Sequence, residues 1–277
     1  MSRARIWLGL ALACIWLLAS ASPAEARRRK RRPNMPQGHT WPPSKPMKNV
    51  GLQCQARLTA LGIKWEEPAR PKKRKRKRRR RRGKRRKANR SKSWTRGQIA
   101  TPVVVPDMMF GKVKLTPIWR KGPQVLDCHL AEAIALTSPR WYALGVRELR
   151  FSSIYQYREV RYRGSTSKAL SRHALGLAID VYEFVDEQGR AHVVEDHYWG
   201  LGLFLPAIEV VANSGGEFRT VITPLRDPAS HHDHFHFEAQ VEYPVVKSRR
   251  RARSAKHRAR KRRRARRKKR RRSRMRR

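Results

Sequence analysis

What most limits how this chain of 277 residues can fold is where its charge lies. Lys and Arg number 68 against 20 Asp plus Glu, a formal net charge of +48. Residues 97–247, however, hold 16 Lys plus Arg and 17 Asp plus Glu, so this stretch is neutral to within one charge. Most of the excess sits in blocks such as Lys72 to Lys87 and Arg249 to Arg277, whose mutual repulsion and lack of apolar period keep them from packing. A core must therefore come mainly from about 150 residues in the middle of the chain, enough for one domain.

Taken in order, residues 1–26 read as a secretory signal. Arg3 and Arg5 precede an apolar run from Ile6 to Leu18, and Ala24-Glu25-Ala26 offers a small-residue cleavage site. The run is shorter than the roughly 20 residues a bilayer span needs, and Ala11-Leu12-Ala13 before Cys14 fits a lipoprotein box poorly. Export would leave Cys54 and Cys128 in an oxidising compartment, where an even count points to a disulfide, the alternative being two buried thiols. Residues 27–47 read as a basic, Pro-rich linker and residues 48–68 as a helix with Val50, Cys54, Leu58 and Leu61 on one face. Residues 69–95 read as a disordered basic insertion, 96–245 as the core and 246–277 as a disordered basic tail.

Within the core, TPVVVPDMMFG reads as a buried strand or strap, and residues 123–136 as a helix closed by Pro139. Extended chain is expected over 146–158, followed by a short helix near Ser167 to Leu175 and a strand beyond it. Glu187-Gln188-Gly189 marks a turn to Ala191 to Val194. Trp199, Leu203, Phe204, Ala207, Ile208 and Val211 mark a helix stopped by Gly215-Gly216, with strands at Phe218 to Ile222 and His234 to Val241. This mixed order predicts a single α+β domain with a small antiparallel sheet. There is no glycine-rich phosphate loop and no G-x-S-x-G elbow, which sets aside nucleotide binding and serine hydrolysis as first choices.

Two stretches carry chemistry: SRHALGLAID from Ser171 to Asp180, and HHDHFHF from His231 to Phe237. His173 sits at the mouth of a strand that carries Asp180, and His234 and His236, two apart, leave the same face of an extended chain. A catalytic zinc takes three His, Asp or Glu ligands at about 2.0–2.2 Å and keeps one position open. His173, Asp180 and His236 can fill those places, with His234 beside the open one. H-x-H alone is a weak signal, but four of the ten histidines fall between His231 and His236, and no cysteine lies near to close a structural site. His234 is the first choice of general base, its ordinary pKa of about 6.5 suiting proton transfer. Ser171 either caps the turn before His173 or touches substrate, and Gly176 and Ala178 stay small so that backbone and ligand can approach.

At these residues the chain resembles the extensin-like C-terminal domain of bacterial envelope proteins, over about residues 48–245. That domain is similar in turn to zinc D-Ala-D-Ala carboxypeptidases and murein endopeptidases of the lysostaphin and hedgehog group. The resemblance implies Zn2+ on His173, Asp180 and His236 and action on peptidoglycan peptides. It makes Asp233 the rival base, since related carboxypeptidases carry a Glu at that place, although on a regular strand Asp233 would point away from His236. It gives His231 the place of a further active-site histidine, against a solvated loop residue. It makes Arg158, in Tyr157-Arg158, a partner for a substrate carboxylate or an oxyanion. Tyr157 and a position near Asn213 stand where the family usually carries cysteines.

A secreted zinc peptidase of a bacterial periplasm or envelope is thus the expected activity; the alternative is a non-enzymatic wall or polyanion binder with a vestigial metal site. The basic tracts, with few aromatics, resemble no base-stacking platform but bind polyanions by counterion release. Anionic envelope polymers or lipid are the expected partners, with nucleic acid bound only non-specifically.

Overall fold

The computed structural model describes residues 34–69, 98–119, 122–162 and 165–245. The signal expected over 1–26, most of the basic insertion and the basic tail therefore lie outside the described residues. Helix α1 (Lys45–Ala60) buries Met47, Gly51, Cys54 and Leu58, a spacing that returns to one side of a 3.6-residue repeat. Cys54 forms a disulfide with Cys128, the first residue of helix α2 (Cys128–Ala143), with Cα atoms 6.1 Å apart. Of the linker expected from composition over residues 27–47, residues 34–47 are described. Met47 is fully buried in the core, and the Gln37 carbonyl accepts from the Tyr243 amide at 2.9 Å, so residues 34–47 belong to the body.

The strands are β1 (Pro102–Val104), β2 (Met109–Phe110), β3 (Val113–Pro117), β4 (Val125–Asp127), β5 (Val146–Ser153), β6 (Glu159–Tyr162), β7 (Ser165–Leu170), β8 (Ala178–Asp186), β9 (Ala191–Val193), β10 (Phe218–Ile222) and β11 (Phe235–Ala239). One curled seven-stranded sheet runs β10-β11-β8-β5-β3-β2, with β9 also on β8; β1 pairs β4 and β6 pairs β7. The small antiparallel sheet expected is corrected on both counts: the sheet is large, and β3 lies parallel to β5. Helix α2 between them makes this possible, because a parallel neighbour needs a crossover. It lies against β2, β3, β5 and β11 and buries Leu130, Ala131, Ile134 and Trp141.

Helix α2 also runs through Pro139, where the sequence predicts a stop. Proline removes one helical hydrogen bond, yet Trp141 beyond it is 1% exposed, packed on Phe218 and Phe237, and this burial holds the last turn. At its start Asp127 caps the helix, accepting from the amide of His129 at 3.1 Å, so residues 125–127 stay extended. The helix expected near Ser167 to Leu175 is instead β7 followed by a 3-10 turn at Arg172–Leu175. Short helix α3 (Val194–His197) precedes α4 (Phe204–Ser214), which begins later than the apolar period predicts. Trp199 and Leu203 lie before it and are exposed.

The β8–β9 hairpin forms where Glu187-Gln188-Gly189 predicts it. Asp186 ties it: the amides of Gln188 and Arg190 donate to Oδ1 at 2.9 Å each, and Arg190 Nε and His192 Nε2 reach Oδ2 at 2.8 and 3.0 Å. Burial alone would raise the Asp186 pKa; these donors outweigh it and hold the carboxyl well below its ordinary range. A depressed folded pKa stabilises above the ordinary value of about 4 and loses that contribution as pH falls through the folded value. In thermal unfolding, Asp186→Asn is expected to melt below wild type near neutral pH, with the gap closing progressively in acid.

Candidate metal centre

The site is assembled where β8 lies between β5 and β11. Antiparallel register sets Asp180 opposite His236 on one side and opposite Ser153 on the other. His173 comes from the 3-10 turn before β8, where Ser171 Oγ accepts from its backbone amide at 3.3 Å. Of the two readings of Ser171, the structure bears out the cap. The turn ends on Gly176 at φ 67°, and a β-carbon there would sit 2.9 Å from the Asp127 amide nitrogen. Gly176 is thus small because of backbone conformation and packing, not ligand approach.

Three atoms meet at the centre. Asp180 Oδ1 lies 3.1 Å from His173 Nε2 and 2.7 Å from His236 Nδ1, and the two nitrogens are 3.2 Å apart. All three residues are buried. The outward nitrogens are already committed: His173 Nδ1 donates to the Ile154 carbonyl at 3.0 Å, and His236 Nε2 donates to Glu238 Oε1 at 3.3 Å. In neutral imidazoles that leaves both inner nitrogens bare, so three electron-pair donors face one another with no hydrogen among them. Such a triangle attracts a positive charge, either a proton on an inner nitrogen or a metal ion. Ligands arranged tetrahedrally about an ion at 2.0–2.1 Å lie about 3.3 Å from one another, close to the spacing seen. The donor set of two imidazoles and a carboxylate therefore fits a divalent ion such as zinc.

Burial opposes charge on Asp180, but His173 and His236 outweigh it and hold the carboxyl well below its ordinary range. Burial lowers the pKa of His173 despite Asp180. Burial also acts to lower His236, but Asp180 and Glu238 overcome it and lift the ring to about 9, so without a metal ion a proton takes the central place at neutral pH. Ser153 Oγ donates to Asp180 Oδ2 at 3.2 Å, leaving Oδ1 turned inward.

The other residues singled out from sequence divide. His234 Nε2 lies 3.6 Å from Asp180 Oδ1, and its ring stacks on Tyr182 at 5.0 Å between centroids. Asp233 does not face the triangle. Its Oδ1 accepts from His234 Nδ1 at 2.6 Å, on the far side of that ring. His231 stands with its ring 4.9 Å from that of His234 and donates Nδ1–H to Asp227 Oδ2 at 3.1 Å. Burial, and then the neighbouring His236 and His234, push it down to about 4, so it is neutral at pH 7. Arg158 is exposed at the rim; its carbonyl accepts from the Ser171 amide at 2.9 Å, and its charge disfavours protonation of His173. Ala178 is buried in β8 opposite Glu238. Sequence reasoning passes over Glu238 itself, although it stands two residues after His236 on the same strand face. A groove of about 590 Å³ beside Trp199, Val210 and Leu225 contains none of the three converging residues.

The model of the extensin-like protein C-terminus matches residues 72–247. The chain belongs to this family. The matched span covers both motifs and every strand of the sheet, and begins after α1, which the disulfide joins to it. No curated protein and no solved structure matches the chain.

One divalent ion per chain is expected on metal analysis of dialysed protein. His173→Ala, Asp180→Ala and His236→Ala should each reduce it to near zero, whereas His231→Ala should keep it.

Proposed function

We propose that this extensin-like chain is an exported, zinc-dependent peptidase that acts on peptidoglycan peptides in a bacterial periplasm or envelope, as a carboxypeptidase or endopeptidase at D-amino-acid bonds. The observation that carries the reading is the triangle of His173, Asp180 and His236 with a fourth imidazole, His234, directed at it from a less buried side. The substrate class rests on the resemblance of S-x-H-x-x-G-x-A-x-D and H-x-D-H-F-H to zinc D-Ala-D-Ala carboxypeptidases and murein endopeptidases. Zinc bound there would acidify water and polarise an acyl oxygen. His234 is the proton carrier: Asp233 takes its Nδ1–H, which leaves Nε2 bare towards the centre. Asp233 then acts through His234, as the orienting carboxylate of a dyad rather than the base itself. Tyr182 fixes the plane of the His234 ring, and Arg158 supplies positive charge at the rim for a substrate carboxylate.

Digestion of purified muropeptides, with products read by mass spectrometry, tests this. Wild type should cleave. His173→Ala should lose both ion and turnover, and His234→Ala should keep the ion while turnover falls about 10²–10⁴-fold. Wild type that holds its ion and binds murein without cutting it would overturn the peptidase in favour of a non-enzymatic wall binder.

The basic tracts are read as the means of retention on anionic envelope polymers or lipid. The described residues that flank them support a joint role. His39 Nε2 lies 3.3 Å from the Gln98 carbonyl and its ring 6.0 Å from that of Tyr243, which brings Gln98 and Tyr243 to the same residue of the body. Retention on isolated envelopes should fall steeply with added salt and be lost when residues 72–87 and 249–277 are both deleted. Retention unchanged by that deletion would sink the idea.

A further inference from the structure

The face of β11 that carries His236 continues to Glu238, a buried carboxylate. Glu238 is 8% exposed. An ionised carboxylate at such depth is costly unless it is paired. The cross-strand neighbours of Glu238 are Ala178 and Thr220, which offer it no charge. Its partners come from elsewhere. Arg219 Nε lies 3.4 Å from Oε2, with both side chains only 10% exposed. The charge of Arg172, 2% exposed, also acts on it. Arg172 is itself held by Nε donation to the Asn34 carbonyl at 2.6 Å and an Nη1 contact to the Ala239 carbonyl at 3.5 Å. The other oxygen, Oε1, takes the outward N–H of His236.

Resting on the metal reading above, we propose that Glu238 is the positioning residue of the centre, a carboxylate paired with Arg219 that holds His236 with Nδ1 bare and aimed at the ion. The inference follows from valence. A neutral imidazole carries one N–H, and only an acceptor fixed at Nε2 keeps Nδ1 free to ligate. Arg219, 3.4 Å from the other carboxylate oxygen, holds that acceptor in place. His173 has a backbone carbonyl, that of Ile154, for the same task. Glu238 is therefore the side chain through which substitution can loosen His236 without removing it. Outer partners of this kind typically change metal affinity 10–100-fold.

The test uses the full chain and Zn2+ in competition with a chromophoric chelator, alongside thermal unfolding of the metal-free protein and nitrogen-15 spectra of the His236 ring. Glu238→Ala should weaken Zn2+ binding about 10–100-fold. Glu238→Gln, which keeps an acceptor for Nε2–H, should recover most of that loss. Arg219→Met, which removes the ion-pair partner of Glu238, should fall between them. Zn2+-loaded wild type should show protonated Nε2 and ligated Nδ1. Unchanged Zn2+ affinity in Glu238→Ala, with a loss of metal-free stability matched by Arg219→Met, would overturn the proposal and leave a purely structural ion pair. Should Glu238→Ala fail to fold, the Gln variant and the wild-type ring spectra still decide, since Zn2+ bound through Nε2 of His236 would also overturn it. Wild type that binds no Zn2+ at all would instead remove the metal reading beneath it.

Discussion

Antiparallel pairing of β8 with β11 is the constraint on which the rest depends. It places Asp180 directly across from His236, and since side chains alternate along a strand, any slip of one residue would turn one of them to the opposite face. The register is held from the other face of the same strands. Phe235 and Phe237 on β11 are fully buried with Phe184 of β8, Phe218 of β10 and Trp141 of α2. At roughly 25 cal/mol per Å² of apolar surface, misplacing these aromatic rings costs far more than any hydrogen bond at the centre returns. The apolar face thus sets the geometry of the polar one, and His173 is brought in by a turn that Ser171 caps and Gly176 ends.

What gathers at the centre is a surplus of acceptors. Each of the three converging side chains is directed inward by a partner on its outer side: Ile154 carbonyl for His173, Ser153 hydroxyl for Asp180, Glu238 carboxylate for His236. His234 follows the same rule one step out, with Asp233 behind it. The outer partners are a backbone carbonyl, a hydroxyl and two carboxylates, so one arrangement is reached by unlike groups. The buried charge this creates is offset locally by Arg219, with the charge of Arg172 acting on it as well, while most of the net +48 of the chain is carried by the basic tracts.

Much of this was legible in the sequence because it is local. The two-residue spacing of His234 and His236 gives a shared strand face, the helical period of α1 gives a buried side with Cys54 on it, and the 187–189 turn gives a hairpin. Misreadings arose where distant contacts overrode local preference. Pro139 should end α2, but the buried Trp141 carries the helix on. Trp199 and Leu203 continue the apolar period of α4, but they lie before it in exposed chain. Asp233 and His234 are adjacent in sequence, and only the bend before β11 shows that the first stands behind the second.

The sequence by itself determined which segments can pack, which residues share a face and which side chains could hold an ion, since charge density and periodicity act within a few residues. Tertiary structure decided the rest: β3 lies parallel to β5, Asp180 meets His236 across 56 residues of chain, and Glu238 receives its arginines from β10 and the turn before β8. These depend on register between strands far apart in sequence. Register is chosen by how a whole apolar face fits together, which no short stretch of sequence encodes alone.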